Sequence, residues 1–194
     1  ANWCGKLTAP AGVVVCVSCR DLQTKSVLEL HQQARQLRTQ LEPVMKSVRR
    51  KLPIYVVLTE CDQLDGFTLW ANKLTEQQRQ QALGYSWRKA PVADRQDMTL
   101  LDPMFASLKQ GIDLSRLSMM TGALPDASLS AMLNFSHDLS LLKRPLHHYV
   151  AALCEPDAYF ASGSLTGIWL TASVERPQQH QMRDALFVQK LLSE

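Results

Sequence analysis

A chain of 194 residues can bury the core of one domain, or of one domain carrying an insertion. With 46% apolar and 20% charged residues it has the composition of an ordinary globular protein, and a net charge of +3 is too small to attract nucleic acid or an anionic membrane. No apolar run reaches the ~18 residues of a membrane span, and five scattered cysteines fit reduced thiols better than a disulfide framework.

The N-terminal "ANWCGKLTAP" has neither an initiator Met nor the charged start and apolar core of a signal peptide, so it is expected to be a cut inside a longer protein. "AGVVVCVS" (11–18) is a β-branched run that reads as a strand buried on both faces, as in a parallel sheet. Cys16 and Cys19 form a C-x-x-C, but no second pair follows to complete a metal site, and neither a metal nor a redox centre is expected there. A long helix follows, with Thr24 as its expected cap and an apolar stripe at Val27, Leu30, Ala34, Leu37, Leu41, Val44 and Val48. Leu37 and Leu41 should face the sheet. Pro43 should kink this helix or start a second one. "VRRK" (48–51) reads as a solvated helix end, and "IYVVLT" (54–59) is a second buried strand.

From about 68 to 158 the pattern is helical with breaks. "LWANKLTEQQRQQAL" is amphipathic, "GYSWRKAPVADRQD" (84–97) has no period and reads as a surface loop, and "DPMFASLKQ" opens with Asp and Pro, a helix start. "PDASLSAMLNF" and "SHDLSLLKRPLHHYVAALCEP" predict two more helices, with a kink at Pro145. His147 and His148 read as surface or capping residues, and the four tryptophans as core or interface anchors. "TGIWLTAS" (166–173) is the third strand, and "MRDALFVQKLL" a final amphipathic helix.

Open parallel sheets bind ligands outside the carboxyl ends of their strands. The ends here are "SCRD", "TECD" and "TASVE". A guanine-reading loop needs an Asp after the strand to accept from the base N1 and N2 hydrogens, a Lys whose stem lies along the base, and a later Ser-Ala segment whose backbone N–H meets the base oxygen. Asp62 and Thr171-Ala172-Ser173 fit two of these roles, after Thr59. Glu60 stands at the lysine position with the opposite charge. The plainer reading, that Asp62 only orders the turn "CDQLDG", stays open. No G-x-x-x-x-G-K-[ST] phosphate loop occurs in the chain, and "CGKLT" at 4–8 lacks the first Gly of one.

Taken together, "APAGVVVCVSCRDL", "ARQLRTQL", "LPIYVVLTECDQLDGF", "NFSHDLSLLKRPLHHYVAALCEPDAY" and "LTGIWLTASVE" resemble the cytoplasmic NTPase-like domain of the IcmF/TssM family of bacterial type VI secretion systems. The resemblance implies a Ras-like, P-loop-NTPase-like α/β domain of three layers, seen as its C-terminal half with parallel strands. The strand–helix–strand unit would be 1–67, a helical insertion 68–160, and the last strand and helix 161–194. The family's phosphate loop would lie upstream, its membrane anchors outside this segment, and the segment itself at the cytoplasmic face of the inner membrane. Thr59 and Asp62 match the family's T-K-x-D, and Glu60 departs from it. The expected function is a scaffold that docks other membrane-complex and baseplate subunits, with a degenerate base site and no cofactor of its own. The alternative is half of a GTPase or ATPase module, of type VI or of the related type IV IcmF proteins, with GTP or ATP bound only in the full-length protein.

Overall fold

The computed structural model describes residues 10–48, 52–87, 99–119, 126–155, 164–175 and 183–186. In chain order the elements are β1 (Val13–Ser18), α1 (Cys19–Thr24), α2 (Val27–Val48), β2 (Pro53–Thr59), a 3-10 turn (Cys61–Gln63), α3 (Phe67–Lys73), α4 (Glu76–Arg79), β3 (Leu83–Ser86), α5 (Asp102–Met119), α6 (Asp126–Leu141), α7 (Lys143–Leu153), β4 (Ser164–Leu170), β5 (Ala172–Glu175) and β6 (Arg183–Leu186).

The three apolar runs become β1, β2 and β4, side by side and parallel. The sheet is mixed, however. Its order is β1-β2-β4-β3, and β3 lies antiparallel on β4. The expected loop at 84–97 therefore begins as a strand, and 88–98 lies outside the described residues. Its glycine explains the fit: a Cβ on Gly84 would stand 2.4 Å from Trp169 Cε3 and 2.5 Å from the Ile168 carbonyl oxygen, so only glycine admits so close a partner strand. Thr166 is an extra residue opposite the Ile54–Tyr55 step of β2, and its carbonyl accepts from the Trp87 N–H at 2.9 Å.

One face of this sheet, with Val15, Val17, Ile54, Val56, Leu58, Ile168 and Leu170, joins the buried residues of the helices in a single apolar cluster. The strand β1 is not buried on both faces. It is a sheet edge, and Val14 (58% exposed) and Cys16 alternate outward.

The first helical run is split differently from the expected cap at Thr24. Helix α1 ends there, and Ser26 starts α2 instead. The Glu29 N–H donates to Ser26 Oγ at 3.3 Å, while Glu29 Oε2 accepts from the Ser26 N–H at 2.8 Å and from Ser26 Oγ at 2.7 Å. This reciprocal box satisfies donors that the first turn leaves open, and the Ser26 hydrogen bonds hold the Glu29 carboxyl below its usual range. Helix α2 then runs through Pro43 as one helix.

Its buried residues are Leu30, Ala34 and Met45, with Leu37 and Leu41 packed half-buried beside them and Val27 and Val44 exposed. Helix α7 lies against it. Its His147 is fully buried rather than on the surface, and half-buried His148 has its pKa lowered by desolvation, then by His147, Arg144 and His31. Glu155, after α7, sits 3.7 Å from Arg35 Nη2 and from Arg38 Nη1 on α2, a partly exposed pairing of small weight.

The amphipathic stretch after residue 67 is two short helices. Leu74 closes α3, and Thr75 with Gln78 forms a capping box that opens α4. The two expected helices after Pro125 are α6 and α7, but the break falls at Leu142. Pro145 lies in the first turn of α7, where backbone N–H groups have no intrahelical acceptor, so it does not kink the helix. Helix α7 and strand β3 come from the stretch expected as an insertion. Within the expected C-terminal helix, Arg183–Leu186 is strand β6, paired antiparallel with β5 in a second, two-stranded sheet.

Candidate functional site

The parallel strands end together, and their register sets Ser18 opposite Thr59. Backbone and hydroxyl contacts hold this edge. The Thr171 N–H donates to the Leu58 carbonyl at 2.8 Å, the Cys61 N–H donates to the Thr171 carbonyl at 3.2 Å, and Thr59 Oγ1 donates to the Val17 carbonyl at 3.4 Å. Thr59, Glu60, Asp62 and Thr171 thus stand together at this edge.

The chemistry differs from that of a base-reading loop. Glu60 is in the left-handed region (φ 58°, ψ 35°), the only non-glycine among the described residues with positive φ. That conformation costs an L-residue about 1–2 kcal/mol. The glutamate turns back to the neighbouring strand end, where Ser18 Oγ donates to Glu60 Oε2 at 2.5 Å. Ser18 also caps α1, accepting from the Asp21 N–H at 3.3 Å. Its role was missed in the sequence, although Ser-x-x-Asp directly after a strand is a readable cap. Behind it, Lys25 Nζ meets Asp21 Oδ2 at 2.6 Å. Buried Tyr149 lies close enough for the Asp21 charge, after desolvation, to help raise its pKa to about 12.

Asp62 is half-buried in the 3-10 turn and accepts from Gln63 Nε2 at 3.2 Å. Thr171 cannot offer its N–H to a base, because Leu58 already takes it. Ala172 and Ser173 are not an open loop. They enter β5, opposite Leu186 and Ala185, and Ala172 is buried; the Ser173 side chain lies outside the described residues. At this edge, then, the Thr171 N–H is engaged and the lysine position holds an acid.

Beneath the surface, Cys19 and Cys61 meet with sulfurs 3.4 Å apart, both fully buried. The C-x-x-C is thus divided: Cys16 faces outward and Cys19 pairs with a residue 42 positions away. No group of three or more His, Cys, Asp or Glu among the described residues is arranged to hold a metal.

A family model described as the IcmF-related N-terminal domain matches residues 9–193. The chain belongs to the IcmF-related N-terminal domain family. Among curated proteins, this IcmF-related chain is 21% identical over 165 residues to the type VI secretion system component TssM1 of Pseudomonas aeruginosa. The alignment covers 84% of the chain and 15% of that protein, so the chain spans a small part of its relative's length. No solved structure matches it. Among the described residues of this IcmF-related domain, no helix is long and apolar enough to cross a membrane.

Proposed function

We propose that this domain is a docking scaffold in a type VI secretion membrane complex. It would lie on the cytoplasmic side of the inner membrane, contact other complex and baseplate subunits, and form part of a Ras-like domain whose base-recognition loop is closed by its own glutamate. The observation that carries this reading is the Ser18–Glu60 hydrogen bond at 2.5 Å. It ties the loop to the next strand end and places a carboxylate where a nucleotide site needs a cation. Membership in the IcmF-related family and the likeness to TssM1 supply the secretion context. A second reading, half of a GTPase or ATPase module, draws on the gathering of Thr59, Asp62 and Thr171 at the C-terminal edge of parallel strands.

The two readings part on nucleotide binding. Most of the affinity of such sites comes from phosphate cradled at a helix N-terminus, and this chain has no phosphate-loop motif. Titration calorimetry of the chain with magnesium and GTP or ATP is expected to show no binding. A Kd at or below about 10 μM, roughly −7 kcal/mol, rejects the scaffold reading.

Changing Glu60→Lys in the full-length protein should act in the opposite direction. It removes the acceptor for Ser18 and places a cation and a long stem beside Asp62. Guanine nucleotide should then bind up to roughly thirtyfold more tightly, about 1–2 kcal/mol for a charge-assisted contact. Equal affinities for wild type and variant would mean that residue 60 does not face the base.

A further inference from the structure

We propose that Cys19 and Cys61 are a reversible thiol–disulfide pair whose oxidation locks the Ser18–Glu60 contact. Four observations converge on this pair. The two sulfurs are 3.4 Å apart, in contact as a thiol hydrogen bond, and need to close by only about 1.4 Å to reach disulfide length. Each cysteine directly follows one partner of the latch: Ser18 precedes Cys19 and Glu60 precedes Cys61. Both sit just past strand ends that are already paired in register, Ser18 opposite Thr59, so the backbone holds the two side chains together without help from either thiol. Finally, both are fully buried and packed against each other, whereas Cys16 of the same C-x-x-C is exposed and apart from them.

The hydrogen bond with Cys19, and then burial, raise the Cys61 thiol well above its ordinary range. Resting thiols of this kind react slowly and only through transient openings of the edge. With a small disulfide such as oxidised glutathione as oxidant, one cysteine thiolate attacks a glutathione sulfur and releases one reduced glutathione. The second cysteine then displaces the other, giving the protein disulfide and two reduced glutathiones, which carry away both protons. The link closes a loop of 42 residues between α1 and the turn after β2, and restrains the unfolded chain accordingly. The inference does not depend on whether the site binds nucleotide.

The test uses the Cys16→Ser variant, because trypsin leaves Cys16 and Cys19 on one peptide. The protein is treated with oxidised glutathione in buffer, without denaturant, then alkylated, digested and analysed by mass spectrometry. The expected product is peptide 7–20 joined to peptide 52–73, lighter by two hydrogens than the separate peptides. The Tm should rise by roughly 5–10 °C, reversed by dithiothreitol. Adding Cys61→Ser should abolish both the link and the shift; Cys19→Ala gives the same check should that variant fold poorly. Separate glutathionylated or free peptides, an unchanged Tm, or a link that forms only within the denaturant unfolding transition would each overturn the proposal.

Discussion

Phe135→Ala is expected to destabilise the fold by about 3–5 kcal/mol, the range for truncating a buried phenyl ring. Phe135 is fully buried where α6 meets α3. Its ring lies 5.3 Å from that of Phe67, edge-on at 85°, and 5.2 Å from that of Trp70, while Phe67 and Trp70 are 5.7 Å apart. Trp70 is tied in turn to α5, its Nε1 donating to Ser115 Oγ at 2.8 Å. Three helices therefore meet on one aromatic triad. Removing the ring leaves a cavity, and Trp70 cannot move into it without straining its hydrogen bond to Ser115. For a domain of this length the Tm should fall by roughly 6–20 °C. Leu141→Ala, on the same helix but 59% exposed, should change stability by less than about 0.5 kcal/mol. Denaturant unfolding of both variants checks this, and a loss under about 1 kcal/mol for Phe135→Ala means that α6 does not pack on α3.

The second large effect tests which face of α2 is inside. Leu30→Ala should cost about 2–5 kcal/mol, because Leu30 is completely buried. Leu37→Ala should cost only about 1 kcal/mol, in proportion to a side chain half in water. The stripe read from the sequence repeats every 3.5 residues, whereas a straight helix turns in 3.6, so the two drift apart by about 20° per heptad. Near the end of α2 Val44 is 40% exposed while Met45 is buried at 5%. Equal losses from the two variants would show that α2 is rolled toward its Leu37 side.

Much of this architecture was legible because it is local. The runs Val13–Ser18 and Pro53–Thr59 are apolar enough to be strands wherever they fall, and a long amphipathic helix between two such runs leaves a parallel pairing as the simple solution. The same logic placed Thr59, Glu60 and Asp62 at a sheet edge, since a residue that follows a parallel strand emerges at its carboxyl end. The boxes Ser26–Glu29 and Thr75–Gln78 have the i, i+3 spacing of a readable cap, yet the first cap was expected at Thr24 and the second was missed in the sequence.

The rest depended on partners distant in the chain. Leu83–Ser86 has four residues and no pattern of its own; it is a strand because β4 offers an open edge and Gly84 lets Trp169 approach. Arg183–Leu186 reads as helix by periodicity, yet β5 holds it as a strand. Glu60 carries no mark in the sequence of its left-handed turn toward Ser18, nor Cys19 of its contact with Cys61, because each is separated from its partner by 42 residues. By itself the sequence determined which segments are apolar and which residues stand at the ends of β1 and β2. The tertiary structure decided which edges pair and which side chains meet at those ends, because hydrogen-bonding partners and van der Waals neighbours across a sheet are set by register and packing, not by proximity along the chain.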